Sequence, residues 1–213
     1  MRQNILVKLG VVLIAVVLLP WMFIRSIRDT IAEPYQVNSS TLSGWSLVLT
    51  DSDASSVSVL GLRPPQLLVP DLFDQLFNRT MESMISPGED TLPIVLRHEF
   101  ETGLQEFLSL DEIFQVAQDA GLEKARFDPI CMGVKRKPFA GRSRQIYFVL
   151  FEAPQVESFR SQIERLSKAR GGMFHAGVLD LVLPISGSDA GFASWLPITV
   201  DRVTECQAPL SEG

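Results

Sequence analysis

An uncharged apolar run near the amino terminus constrains this chain more than any other feature. Residues 9–24 carry no charge, and residues 5–8 extend the run toward the amino terminus. A helix of residues 5–24 would reach roughly 30 Å, which is the thickness of the hydrocarbon core of a bilayer. The run therefore predicts a transmembrane anchor, which we place at residues 1–28. The residues predicted to hold the anchor in the membrane are Leu9, Val12, Val16, Leu19, Trp21 and Phe23.

A cleaved signal peptide is the alternative interpretation of the same run. A signal peptide needs small residues at its cleavage site. The candidate for such a site, residues 30–32, follows directly behind Arg25, Arg28 and Asp29. Charges just ahead of a cleavage site are unusual, so we expect the segment to be retained. The sequence then predicts a protein that crosses the membrane once.

The cations that flank the run are nearly balanced, so they say little about its orientation. Arg2, Lys8 and the terminal amine stand on one side, and Arg25 and Arg28 stand on the other. A short tail before a long domain favours a cytoplasmic amino terminus. We therefore expect an inner (plasma) membrane protein whose folded domain is periplasmic or otherwise extracytoplasmic. The alternative orientation leaves the domain in the cytoplasm.

The rest of the chain has the composition of one folded domain. Charged residues make up 21% of the chain and apolar residues 46%, which is the balance of a protein with a packed core. We expect a linker at residues 29–40, an α+β domain at residues 41–185 and a C-terminal extension at residues 186–213. The order of helical and strand patterns predicts one mixed sheet of about six strands with three helices.

Local signals place the helices and strands. Pro70 and Asp71 begin a helix whose apolar residues recur at helical spacing as far as Ile85. Ser109 and Glu112 have the spacing of a capping box at the start of a second helix, which ends at residue 121. A third helix begins at residue 154 and ends before the glycines at 171 and 172. The predicted strands are residues 41–50, 57–62, 92–97, 127–134, 145–151 and 173–185.

The charge of the chain excludes one class of partner and singles out one segment. After residue 28 there are 25 acidic residues against 15 lysines and arginines, a formal charge of about minus 10. Nucleic acid is therefore not an expected partner, because binding a polyanion needs dominant positive charge. The charge is also divided along the chain: residues 71–119 carry a net charge of minus 9 and residues 124–170 a net charge of plus 7.

The basic half contains a connector between two predicted strands that is crowded with cations. A hairpin with five cations and one exposed aromatic ring could contact anionic lipid headgroups or an acidic protein surface. The alternative is a solvated loop whose charges keep a sheet edge from pairing. The residues predicted to contact a partner or lipid are Lys135, Arg136, Lys137, Phe139, Arg142 and Arg144.

Few residues offer catalytic or metal-binding chemistry. His98 and His175 are the two histidines of the chain, and neither lies in a spacing that brings metal ligands or a nucleophile to it. We predict no catalytic residue, cofactor or metal. Cys131 and Cys206 could pair as a disulfide in an oxidising compartment, or remain two unrelated thiols.

These observations predict a non-enzymatic accessory or scaffolding subunit of a larger membrane complex, with respiratory and photosynthetic complexes as plausible hosts. Its expected partners are membrane lipids and protein subunits, contacted through the transmembrane helix and the extramembrane domain. The alternative is a membrane-anchored extracytoplasmic hydrolase that uses His98 or His175.

Overall fold

The computed structural model describes residues 18–22, 33–50, 56–87, 91–139 and 141–213. The chain divides into two compact units, Met1–Glu33 and Pro34–Gly213. In the first unit, residues 18–22 are helical and exposed, and they include Leu19 and Trp21 of the predicted anchor. The other predicted anchor residues, Leu9, Val12, Val16 and Phe23, lie outside the described residues. Within the described part of the chain, no helix has both the length and the apolar character needed to cross a membrane.

The second unit contains eight strands and four α-helices among its described residues. The strands are β1 Tyr35–Val37, β2 Ser46–Leu49, β3 Ser58–Arg63, β4 Leu92–Leu96, β5 Asp128–Phe139, β6 Arg142–Glu152, β7 Leu181–Gly187 and β8 Cys206–Glu212. The helices are α1 Leu68–Thr80, α2 Arg97–Glu99, α3 Leu110–Asp119 and α4 Pro154–Ala169. Phe100–Leu104 continues α2 as a π-helix, and short 3₁₀ turns cover Ser39–Leu42, Leu122–Lys124, Ala176–Val178 and Phe192–Trp195.

The strands form a curled, mixed arrangement. One sheet has the order β1-β8-β5-β6-β7, in which β1 and β8 are parallel and the other pairs antiparallel. A second sheet has the antiparallel order β2-β3-β4, and β4 lies beside β7. The predicted α+β class is confirmed. The expected six strands of a single sheet are instead eight strands in two groups.

The helices bury one face of the larger sheet. Phe159 and Ile163 of α4 and Ile113 of α3 are fully buried in the same core as Leu72 and Leu76 of α1. The large aromatic group of this core consists of Trp45, Phe127 and Phe151, whose ring centroids are 4.3 to 6.2 Å apart.

A smaller apolar cluster includes residues of β5, β6 and β7. Phe148, Leu150 and Val182 are buried there, and Leu196 and Val200 of the segment before β8 pack against them. Both faces of β6 are thus covered, as its continuous apolar sequence predicts. The same cluster includes the disulfide between Cys131 of β5 and Cys206 of β8, whose Cα atoms are 5.7 Å apart.

The first helix is shorter than its apolar pattern predicts. The helix ends at Thr80, because Met81 takes a left-handed conformation with φ of 53° and its amide donates to the carbonyl of Phe77. Ile85 instead forms an isolated bridge with Gly187. The chain between them is irregular, and its apolar residues do not extend the helical stripe.

The last third of the chain differs most from expectation. Residues 173–180, predicted as the first part of a long strand, form no strand and contain the 3₁₀ turn Ala176–Val178, and the strand begins at Leu181. The carbonyls of His175 and Ala176 accept hydrogen bonds from the buried Arg160, so they are not available to pair with a neighbouring strand. The segment predicted as a C-terminal extension, residues 186–213, contributes β8, which lies between β1 and β5.

The disulfide is expected to contribute strongly to stability. It closes a separation of 75 residues, for which loop-closure entropy predicts about 4 kcal/mol. Replacing both cysteines with alanine should lower the free energy of unfolding by about that amount, measured by urea denaturation of the full chain in detergent. Addition of a reductant should destabilise the unmodified chain and leave the variant unchanged. Equal stability of the two chains under oxidising conditions would contradict this expectation.

The capping box at α3 is confirmed, and it predicts a pH dependence. Glu112 accepts from the Ser109 amide at 2.9 Å and from Arg170 at 2.9 Å. The Arg170 guanidinium first, and then the Ser109 amide, lower the pKa of Glu112 from 4.5 to about 2. A carboxylate whose pKa is lower in the folded chain than in the unfolded chain stabilises the fold when it is ionised. The contribution of Glu112 is therefore present above pH 4.5 and is lost as the pH falls from 4.5 toward 2.

Glu112→Gln should therefore destabilise the chain at pH 6 and make little difference near pH 2. The measurement is urea unfolding at several pH values, with the exposed Glu106→Gln as the matched control. A destabilisation that stays constant from pH 6 to pH 2 would show that the carboxylate charge is not responsible.

Candidate functional site

The candidate site is the long hairpin formed by β5 and β6. Its register runs through eleven residue pairs, from Asp128 opposite Glu152 to Phe139 opposite Arg142. Gly141 lies in the turn with φ of 76°, a left-handed conformation that glycine adopts without steric cost. The strands continue through the segment predicted as a connector, so the cations lie on paired strands rather than in a loop.

The alternation of side chains along a strand divides the cations between two faces. Lys135 and Lys137 belong to the face that carries Phe148, while Arg136 belongs to the face that carries Tyr147. Arg136 and Lys137 are exposed, and Lys135 and Arg144 are half-buried. The register places Arg142 and Phe139 at the end of the hairpin, but their side chains lie outside the described part of the structure.

Two ion pairs hold the outer part of the hairpin. Lys135 Nζ lies 2.9 Å from an oxygen of Glu205, and Arg144 Nε lies 3.2 Å from an oxygen of Asp189. Both carboxylates belong to the segment that connects β7 to β8. These two cations therefore brace the hairpin against its neighbours, and the sequence did not distinguish them from Arg136 and Lys137.

The other face of the hairpin rests on the residues that follow α1. Glu82 accepts hydrogen bonds from the Tyr147 hydroxyl at 2.9 Å and from the Gln145 amide. Burial, followed by this contact with Glu82, raises the pKa of Tyr147, so its hydroxyl stays protonated and donates throughout the physiological range. Sequence reasoning missed Glu82, because the residue lies inside an apolar helical pattern and nothing local marks its distant partners.

The two histidines of the alternative hypothesis lie on the surface. His98 is exposed on α2, and the His175 side chain is 71% exposed with its Nδ1 3.9 Å from Glu164 Oε1. An imidazole so exposed is surrounded by water and is held by little besides this contact. The described residues contain no group of three or more histidine, cysteine or acidic side chains that could hold a metal ion.

A cavity of about 430 Å³ lies between α4 and the segment before β7. Its charged and polar lining residues include Glu152, Glu157, Ser161, Glu164, Asp180 and Arg202. Arg160 also lines it but is directed into the protein: its guanidinium forms a bidentate pair with Glu99 and donates to the carbonyls of Ile94, Ala176 and His175. Because these contacts occupy its donors, Arg160 is a structural residue that joins α4 to α2 and β4.

In comparisons with known proteins, no family model, curated protein or solved structure matches this chain.

Replacing Arg160 should be severely destabilising. The side chain is 2% exposed, and its loss would leave the Glu99 carboxylate and three carbonyls without their donor. Arg160→Met should cost about 3 to 5 kcal/mol of unfolding free energy. The matched control is Arg202→Met, which breaks a pair with Glu152 that is about half exposed and should cost less than about 1 kcal/mol. Equal effects of the two variants in urea unfolding would contradict the assignment.

Proposed function

We propose that this chain is a non-enzymatic, single-pass membrane protein that serves as an accessory or scaffolding subunit of a larger membrane complex. Its apolar run would hold it in the inner (plasma) membrane, and its α+β unit would present the β5–β6 hairpin to an anionic surface. The observation that carries the proposal is the hairpin, which is held by contacts on both faces and which carries the exposed cations Arg136 and Lys137.

The rigidity of the hairpin supports a role in binding an anionic surface. Eleven residue pairs, the ion pairs of Lys135 and Arg144, and the contacts with Glu82 fix its backbone. A surface that is already ordered loses less conformational entropy on binding than a flexible loop does. Arg136 and Lys137 stand exposed on this ordered backbone, so they can meet negative charge without a large entropic cost.

The disulfide supports the proposed side of the membrane. Disulfides persist in oxidising compartments and are rare in the cytosol, where thiols are kept reduced. The bond between Cys131 and Cys206 joins two strands of the sheet and is therefore part of the fold. An extracytoplasmic unit agrees with this bond.

Reversing the exposed charges should weaken assembly. Like charges brought together across a contact cost several kcal/mol, so Arg136→Glu with Lys137→Glu should reduce co-purification with a membrane complex about tenfold or more. The measurement is gentle detergent extraction, followed by quantification of the proteins that accompany the chain. This double variant keeps the ion pairs of Lys135 and Arg144, so the hairpin should remain folded.

The matched control for this experiment is Lys124→Glu with Arg165→Glu, which reverses two exposed charges elsewhere on the unit. The control should leave recovery unchanged, and circular dichroism should be the same for all three chains. Unchanged recovery with the hairpin variant, or no accompanying protein with the unmodified chain, would count against a scaffolding role.

A further inference from the structure

Strand direction and side-chain contacts relate the hairpin, the start of β1 and the carboxyl end of α1. β5 runs toward the turn of the hairpin, β8 runs antiparallel to β5, and β1 runs parallel to β8. The start of β1 therefore points toward the same end as the turn of the hairpin. We call the region in which the outer half of the hairpin and the carboxyl end of α1 lie side by side the tip end. β1 itself pairs with the last residues of β8, level with the start of β5 rather than with the turn. The second unit begins at Pro34, just before β1, and the Pro34 carbonyl is bonded to Arg79 near the end of α1.

The carboxyl end of α1 lies beside the start of β1. Arg79 donates to the carbonyl of Pro34 at 2.8 Å, while Gln75, one turn earlier, bonds the backbone of Gln36. The helix is thus antiparallel to β1. After the helix, Glu82 bonds to Tyr147 on β6, which holds the following residues against the middle of the hairpin.

This end of the second unit exposes large apolar side chains. Phe77 is 43% exposed, Met81 75% and Ile85 43%. Met81 follows Phe77 by one turn, and Ile85 is fixed to Gly187 by two backbone hydrogen bonds of 2.9 and 3.0 Å. A group of exposed apolar side chains held on ordered backbone is typical of a surface that meets a partner or a membrane.

The exposed cations complete this surface. Arg136 lies directly opposite Gln145 on the hairpin and Lys137 is the next residue toward the turn, while Gln145 itself contacts Glu82. Three described carboxylates that contact the hairpin, Glu82, Asp189 and Glu205, each have a hydrogen-bonding or ionic partner. We define the tip-end surface as Phe77, Met81, Ile85 and Arg136, together with Lys137, which follows Arg136 toward the turn on the other face of the hairpin. Cations beside apolar side chains are the composition with which proteins bind an anionic lipid interface.

The sequence before Pro34 limits where the tip-end surface can go. Nine residues, 25–33, separate the apolar run from the second unit. Nine residues in a fully extended chain span at most about 30 Å. We propose that the tip-end surface docks on anionic lipid headgroups of the same bilayer that holds the apolar run. This inference rests on the proposed anchor. An acidic protein surface would satisfy the cations, but the exposed Met81 and Ile85 are better matched by the apolar boundary of the lipid.

The test uses the full chain in lipid nanodiscs and one introduced cysteine at a time. The native cysteines are joined in the disulfide, so a thiol-reactive fluorophore labels the new position. Met81→Cys reports on the tip-end surface. Lys124→Cys lies just before β5, at the opposite end of that strand, and is the matched control. Quenching by a headgroup nitroxide lipid measures how close each label lies to the bilayer.

Docking predicts strong quenching at Met81→Cys and little at Lys124→Cys in nanodiscs of phosphatidylglycerol and phosphatidylcholine. Adding Arg136→Gln and Lys137→Gln should lower the ratio of docked to undocked chains about 30-fold, or about fivefold per cation. Adding Lys124→Gln and Arg165→Gln to Met81→Cys should leave the quenching unchanged. The same loss should occur in pure phosphatidylcholine and at high salt, where charge attraction is screened.

The outcomes separate this inference from the proposed function. Equal quenching at both labels, or quenching at Met81→Cys that does not depend on lipid charge, would overturn docking. A Met81→Cys label that becomes shielded only when other subunits are present would show that this surface binds protein, and docking would fail while the scaffolding role stands. A chain that does not insert into nanodiscs would refute the anchor on which both proposals depend.

Discussion

The pairing of β5 with β6 is the interaction on which the rest of the second unit depends. Each of these strands has a second neighbour, so the hairpin joins β8 and β1 on one side to β7 on the other. Its two faces carry the two apolar clusters, and the helices cover the larger one. The disulfide then ties β8 to β5. Because the same ladder extends beyond the core, the sheet that organises the fold also supports the basic surface.

Polar contacts assign different roles to side chains of the same type. Arg160 is buried and holds α4 against α2 and β4, whereas Arg170 braces α3 at its amino terminus. On the hairpin, Lys135 and Arg144 stabilise the strands, and Arg136 and Lys137 remain exposed beside them. The basic half of the sequence is therefore a mixture of structural cations and surface cations. Its net charge alone does not reveal this difference.

Sequence reasoning succeeded where the physical signal is local. The capping box of Ser109 and Glu112 forms within one turn, and the start of α4 at Pro154 follows from its fixed φ. Sequence reasoning failed where contacts between residues far apart in the sequence determine the structure. β8 includes Pro209 and has no clear alternation, and it becomes a strand because β5 and β1 flank it. The helix α1 was predicted to continue past Thr80 because no glycine or proline marks its end.

The candidate site was predicted in part. The sequence places the cations on a hairpin because two apolar strand patterns flank them, but it does not show that the strands extend through them. The partners of the hairpin, Glu82, Asp189 and Glu205, lie 45 to 70 residues from the cations or amides they bind, so no spacing in the sequence could identify them. The central claim remains that the apolar run keeps the folded unit at a bilayer. The most direct measurement is the intact mass of the chain recovered from host membranes after an alkaline carbonate wash. The account predicts a chain that stays in the membrane pellet with residues 1–32 present; a soluble product that begins near Glu33 would contradict it.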